Sequence, residues 1–97
     1  MINRQRLEAE LLDMIRISSP SKREGRMAKR VRATLEGLGV AVEEDDAGRQ
    51  VGGEVGNLLA KFPGTAPDAP PLLLCAHMDT VVPCEDVRPV VTGDVVK

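Results

Sequence analysis

Aromatic residues are almost missing from this chain of 97 residues: Phe62 stands alone, with no tryptophan and no tyrosine. A core must therefore be built from aliphatic side chains, methionine and alanine, each of which buries less area than an aromatic ring. The scarcity also removes the stacking surfaces on which unpaired nucleic-acid bases are bound. In so short a chain, we expect the core to be thin.

An excess of charge of one sign is also lacking, since 13 basic and 15 acidic residues give a formal net charge of −2. That balance provides no field to attract nucleic acid or an anionic membrane. The basic residues from Lys22 to Arg32 alternate with apolar ones at helical spacing, which is typical of a solvated helix face. The sequence has no run of about 18 apolar residues to span a membrane and no apolar signal-peptide segment at its N-terminus. We therefore expect a cytoplasmic protein with no nucleic-acid or membrane partner.

Cysteine is sparse, with only Cys75 and Cys84 present. In a reducing compartment the two are expected to be free thiols rather than a disulfide. Cys75 lies in an apolar run, where a thiol serves as a small core residue. Cys84 follows a proline and is interpreted as a loop thiol.

Two helices are predicted in the first part of the chain. Apolar residues recur at spacings of three and four over residues 3–17, the pattern of an amphipathic helix, and Pro20 ends that pattern. Ser21 and Glu24 then have the spacing of a capping box for a second helix. Glycines at 37–39 are expected to end this second helix.

Strands are predicted after the helices, at 40–44, 57–62, 72–77, 87–91 and 94–96. Asp45–Gly48 is typical of a turn, the glycine-rich stretch 52–57 of a sharp bend, and the proline-rich stretch 63–71 of a surface loop. Residues 72–77 are apolar without alternation, which predicts a strand covered on both faces. Two helices followed by strands of a mixed sheet indicate an α/β layered domain.

His77, the only histidine, lies at the C-terminal end of that predicted strand, and Asp79 follows two residues later. On an extended backbone this spacing points both side chains to the same side. A zinc-bound imidazole needs a neighbour of this kind to fix its tautomer and ring orientation, and open α/β folds bind ligands at the C-terminal ends of strands. The alternative is a strand-end histidine hydrogen-bonded to a carboxylate, with no metal.

The surroundings of these two residues resemble a known family. The apolar stretch 72–76 running into His77-Met78-Asp79-Thr80-Val81-Val82-Pro83 resembles the first metal motif of the M20 metallopeptidases. Ser19-Pro20-Ser21, with Glu24 and Gly25, resembles the family's N-terminal helix junction. Three further patterns resemble its peptidase T-like branch and occur in the expected order before the metal motif: Asp45-Asp46-Ala47, Gly52-Gly53 and Gly56-Asn57-Leu58.

The resemblance implies that residues 1–97 are the N-terminal portion of a single zinc-exopeptidase-type catalytic domain, expected to be truncated. His77 would be one ligand of a two-zinc centre, and Asp79 the catalytic carboxylate that orients it. The family's bridging aspartate, general-base glutamate and remaining ligands have no match in the sequence. Asp86 and Asp94 are interpreted as surface or turn residues. Cys84 stands where family members often have glycine, which leaves the conformation of that loop open.

The implied activity is that of a dinuclear zinc aminopeptidase acting on short peptides, with a homodimer in the full-length protein. Alternatives are an amidohydrolase of the same family acting on N-acyl amino acids, and a non-catalytic truncated remnant. A cysteine-based enzyme using Cys75 or Cys84 with His77 is disfavoured, because apolar surroundings raise the pKa of a thiol. Catalytic zinc needs about three protein ligands, so residues 1–97 alone are expected to be inactive. With sheet edges and an apolar face uncovered, they are also expected to be loosely folded or aggregation-prone.

Overall fold

The computed structural model describes all residues from 1 to 97, arranged as three helices and four short strands. The elements are α1 Arg4–Ile15, α2 Gly25–Gly37, β1 Val42–Glu44, α3 Ala47–Val51, β2 Leu58–Ala60, β3 Val91–Thr92 and β4 Val95–Val96. The strands form two separate antiparallel pairs, β1 with β2 and β3 with β4. The predicted α/β class is confirmed, although these pairs replace the single mixed sheet.

Helix α1 forms where the apolar periodicity predicts it. The Asn3 side chain caps its start by accepting a hydrogen bond of 3.0 Å from the Arg6 amide. The apolar stripe is only partly covered, because Leu7 and Leu11 are 58% and 42% exposed. The side of α1 that faces α2 is joined to it by an ion pair of 2.8 Å between Glu10 and Arg30.

Helix α2 begins three residues later than a capping box would place it, so that prediction is wrong. Glu24 is the residue before the helix and makes no capping bond to it. Its carboxylate instead accepts from the Lys22 amide at 2.7 Å. A turn over residues 20–23, closed by the Arg23 amide on the Pro20 carbonyl at 2.9 Å, carries the chain past Ser21 before the helix starts. The Ser21 hydroxyl is thereby left free to bond elsewhere.

The small core consists of Met27, Ala28 and Cys84, and α2 also packs against the β1–β2 pair. Met27 and Ala28, on the first turn of α2, are buried. Arg32, one turn further along, donates to the Val42 carbonyl at 2.9 Å and to the Glu44 carboxylate at 3.3 Å. The basic residues of α2 therefore do not all face solvent, because Arg32 binds β1.

The connection between β1 and β2 is organised by Asp45. Its carboxylate accepts from the Asn57 amide at 2.7 Å, from the Asn57 side chain at 2.9 Å and from the Ala47 amide at 3.1 Å. The Asn57 bonds, and then the Ala47 bond, lower the pKa of Asp45 below its ordinary value. The predicted turn at 45–48 is therefore only the start of a short helix, α3, whose first residues the carboxylate holds.

Two glycines in this connection lie against backbone with no room for a side chain. A Cβ on Gly48 would lie 2.1 Å from the Val55 carbonyl oxygen, and one on Gly56 would lie 2.0 Å from the Asp45 carbonyl oxygen. Both glycines are buried. The close approach explains why the segment needs glycine and, as predicted for 52–57, makes a sharp bend.

The predicted buried strand at 72–77 is wrong. The segment has no regular secondary structure, and Leu72, Leu73 and Leu74 are each at least 84% exposed. Cys75 is likewise exposed rather than a core residue. The physical reason is that a strand needs a neighbour to complete its backbone hydrogen bonds, and no other segment of these 97 residues pairs with this one. The preceding loop, 63–71, is exposed throughout, as predicted.

The C-terminal residues form a hairpin whose two strands are shorter than predicted. Val90 and Lys97 exchange two backbone hydrogen bonds of 2.8 and 2.9 Å, outside the paired residues of β3 and β4. The Arg4 side chain makes an ion pair with the exposed Asp94 at the tip of this hairpin. None of the three helices has the length and hydropathy to cross a bilayer.

Replacing Gly56 with alanine is expected to lower the free energy of unfolding by about 1 to 3 kcal/mol, the usual cost of forcing extra volume into a packed site. Gly48→Ala should behave in the same way, because its Cβ also meets backbone. Gly37→Ala is the matched control: a Cβ there has nothing within 4 Å. Alanine should stabilise that helix end by up to about 1 kcal/mol. Urea unfolding followed by circular dichroism measures all three, and an unchanged Gly56→Ala variant would contradict the packing described.

Acid should weaken the β1–β2 connection through Asp45. Because its pKa in the folded chain is lowered, the stabilisation is fully present above the ordinary value near 3.8 and is lost as the pH falls through the folded-state pKa. Asp45→Asn should remove this part of the pH dependence of unfolding, whereas Asp68→Asn, in the exposed loop, should leave it unchanged. Urea midpoints measured from about pH 6 down to about pH 2.5 test this, and identical profiles for both variants would contradict it.

Candidate functional site

His77 and Asp79 lie together on an exposed segment, as their spacing of two predicts. The Nδ1 atom of His77 is 3.0 Å from Oδ1 of Asp79 and 2.9 Å from the backbone oxygen of the same residue. The His77 side chain is 84% exposed, and that of Asp79 is 39% exposed. The imidazole is thus held on one edge, and its other edge faces outward.

These contacts decide which ring nitrogen carries the proton. A backbone carbonyl oxygen can only accept a hydrogen bond, and so can an ionised carboxylate. Nδ1 must therefore be the donor. In the neutral ring, Nε2 is then left with a free lone pair, the form in which imidazole binds a metal ion.

The second oxygen of the Asp79 carboxylate is also engaged. Oδ2 accepts a hydrogen bond from the Ser21 hydroxyl, which lies 58 residues earlier in the chain. The Ser21 bond is the main cause that lowers the pKa of Asp79, followed by the attraction of His77, while partial burial acts in the opposite direction. Asp79 is therefore ionised at neutral pH, as the donor assignment of Nδ1 requires.

The segment between α1 and α2, residues 16–24, is hydrogen-bonded to the chain next to Asp79. The Thr80 amide donates to the Ser19 carbonyl at 2.8 Å, and Pro20 and Thr80 form a parallel bridge. Ser19 is fully buried. We call residues 16–24 the helix junction.

Cys84 makes a further contact with the helix junction. Its sulfur lies 3.5 Å from the Ser18 hydroxyl, and this hydrogen bond is the main cause that lowers the pKa of the thiol. Cys84 lies in a loop, as predicted, but it is 94% buried, since its relative exposure is 6%. Both cysteines are free thiols.

The chain brings together one metal-binding side chain with its orienting carboxylate, and no more. Nowhere in residues 1–97 do three histidine, cysteine, aspartate or glutamate side chains lie close enough to hold a metal ion. Asp94 is paired with Arg4 at the surface. The free Nε2 of His77 and the anchored carboxylate behind the ring fit a single ligand position in a zinc site.

A cleft of about 680 Å³ opens elsewhere, beside the helix junction. Neither His77 nor Asp79 belongs to it; its walls are Arg16, Ser18, Arg26, Glu85, Asp86, Val87, Arg88 and Pro89. Small-molecule sites are mostly apolar with a few polar groups, whereas this lining is mainly charged. His77, rather than this cleft, is therefore the candidate functional site.

Known proteins are similar to this chain in sequence or in structure. The chain is 38% identical over all 97 residues to the uncharacterized protein YqjE of Bacillus subtilis, of which it covers 26%. Its structure matches aminopeptidase PepT from Bacillus cereus with a TM-score of 0.92 and 32% identity, covering 98% of this chain and 26% of that one. A tripeptidase from Staphylococcus aureus matches with a TM-score of 0.88 and 35% identity, covering 97% of this chain and 25% of that one. No family model matches the sequence.

These matches confirm the predicted fold and its similarity to peptidases. The chain spans about a quarter of the length of each relative and corresponds to the N-terminal portion of the two peptidases. The arrangement of three helices and two small sheets is therefore one that occurs in larger peptidase chains.

The sequence predicted the pairing of His77 with Asp79 but not the hydrogen bond from Ser21 to Asp79. The Ser21–Glu24 spacing suggested a capping box, which assigned the hydroxyl to the wrong neighbour. No local signal points from Ser21 to Asp79, because their contact spans 58 residues. The Ser-Pro-Ser sequence before α2 was the only available indication that the junction is specialised.

The two thiols should differ strongly in their reaction with iodoacetamide. Cys75 is exposed and should be alkylated at the rate of an unstructured thiol, while burial should slow Cys84 by at least about tenfold despite its lowered pKa. Cys75→Ser and Cys84→Ser variants isolate each thiol, and unfolding in urea should equalise the rates. Faster alkylation of Cys84 than of Cys75 in the native chain would contradict this and would favour a cysteine-based chemistry.

Proposed function

We propose that this chain is the N-terminal part of a dinuclear zinc aminopeptidase of the M20 family, in its peptidase T-like branch, that hydrolyses short peptides in the cytoplasm. The observation that carries the proposal is the His77 ring, with Nδ1 bound to Asp79 and Nε2 free, in a chain that matches part of aminopeptidase PepT. The tripeptidase match supports short peptides as the substrate class.

Each residue present has a definite part in this proposal. His77 offers Nε2 to the metal. Asp79 holds the proton on Nδ1, sets the ring plane and places a negative charge behind the imidazole, which strengthens the ring as a ligand. When bound, zinc supplies a Lewis acid for the peptide carbonyl and lowers the pKa of a water molecule.

The other zinc ligands and the general base are proposed to lie in a further part of the protein. Three observations support this: no three possible ligand side chains lie together, the matched peptidases are about four times as long, and a run of leucines at 72–74 is exposed. Such a run is typical of a surface that another segment covers.

The proposal is tested with the protein produced from its native reading frame. Purified protein should contain zinc and should release the N-terminal residue from tripeptides with a free amino group. It should not hydrolyse N-acetyl amino acids, whose cleavage would instead indicate the amidohydrolase alternative. A reading frame that stops after Lys97, with a metal-free product, would contradict the enzyme proposal.

Variants at the site give the expected magnitudes. His77→Ala should abolish activity, because a zinc ligand is lost. Asp79→Asn keeps the shape but loses the charge, and should reduce metal affinity or activity by about 10- to 100-fold, the usual effect of losing a partner that orients a ligand. Asp68→Asn, in the exposed loop, serves as the carboxylate control and should retain full activity. Wild-type activity in Asp79→Asn would exclude the proposed role of that residue.

A further inference from the structure

We propose that Ser21 is a positioning residue for the histidine ligand: its hydroxyl fixes the Asp79 carboxylate, which in turn fixes the ring and tautomer of His77. The meaning of this inference for catalysis rests on the function proposed above. The hydrogen-bond chain itself is a property of the 97 residues alone.

Both oxygens of the Asp79 carboxylate accept hydrogen bonds. Nδ1 of His77 donates to Oδ1 at 3.0 Å and to the Asp79 backbone oxygen at 2.9 Å, and Oδ2 accepts from the Ser21 hydroxyl. Of the two acceptors for Nδ1, the carboxylate is the one that Ser21 controls. A carboxylate held only through one oxygen can rotate about its terminal bond, because that torsion has a broad energy profile. With both oxygens held, rotation must break one bond, so the direction of the acceptor facing His77 is set by Ser21.

The backbone brings Ser21 to this place. Pro20 and Thr80 form the parallel bridge, Ser21 is the residue after Pro20, and Asp79 is the residue before Thr80. The Thr80 hydroxyl also contacts the Ser19 carbonyl, at 3.4 Å. Ser21 is thus presented by a part of the chain that is already anchored, which is what a positioning residue requires.

A purely structural role for the Ser21 hydroxyl is not supported by its contacts. It does not cap α2, which begins at Gly25 and has Glu24 before it. Ser21 is exposed, so removing its hydroxyl leaves no cavity. The turn that precedes α2 is closed by backbone and by Glu24, through the Arg23 and Lys22 amides. Loss of the hydroxyl should therefore change the site and leave the fold intact.

The single histidine makes a direct test practical. Long-range proton–nitrogen NMR on the 97-residue chain reports the two ring nitrogens of His77 without overlap. Spectra are recorded at about pH 8.5, because an unperturbed imidazole is neutral there. The wild type should show a ring protonated at Nδ1, and Ser21→Ala should shift the population toward the form protonated at Nε2.

Matched variants separate the hydroxyl from side-chain shape. Ser21→Thr keeps the hydroxyl and should retain the wild-type tautomer, while Ser21→Val has the same branching without it and should behave like Ser21→Ala. Thr65→Ala removes a hydroxyl from the exposed loop and should change nothing. The Gly56 and Thr80 amide signals report whether each variant is folded. An unchanged tautomer in folded Ser21→Ala and Ser21→Val, or a wild-type ring protonated at Nε2, would overturn the proposal.

This readout needs neither metal nor substrate, so it fails or succeeds independently of the peptidase proposal. If the complete protein is an active peptidase that depends on His77 but Ser21→Ala keeps the tautomer, only the positioning role is wrong. If the tautomer shifts but no peptidase activity exists, the positioning role stands and the function does not. In an active zinc enzyme, Ser21→Ala should weaken metal affinity by about tenfold, with Ser21→Thr restoring it.

Discussion

The hydrogen bond from the Thr80 amide to the Ser19 carbonyl, 2.8 Å long, joins two parts of the chain that are 61 residues apart. Closing so long a loop costs entropy. Two side-chain hydrogen bonds lie beside this contact, from Ser21 to Asp79 and between Ser18 and Cys84. The segment that carries His77 has no strand pairing of its own. Its position therefore depends on the helix junction, and so does the geometry of the candidate site.

The helices and the class of the fold could be predicted from the sequence because their signals are local. Apolar spacing marks α1, and glycines mark the end of α2 and the sharp bend at 52–57. The pairing of His77 with Asp79 was predictable for the same reason, since the two residues are separated by a single position. The contacts of Ser21 and Cys84 were not predicted, because their partners lie 58 and 66 residues away, beyond the reach of any local pattern.

The error at 72–77 has a different origin. An apolar run without alternation is typical of a strand covered on both faces, but the pattern does not say where the covering elements come from. Within residues 1–97 nothing pairs with the run, and its leucines are exposed. The apolar face of α1 is partly uncovered in the same way. Both features agree with a chain that spans about a quarter of the peptidases it matches.

The most direct test of this account is hydrogen exchange at the Thr80 amide in the 97-residue chain. If the helix junction holds the His77 segment, that amide should exchange at least about tenfold more slowly than the amides of Leu73 and Leu74, whose backbone is exposed and unpaired. Equal exchange at Thr80 and in the leucine run would mean that the junction does not hold the segment. The His77 geometry would then be unsupported within this chain.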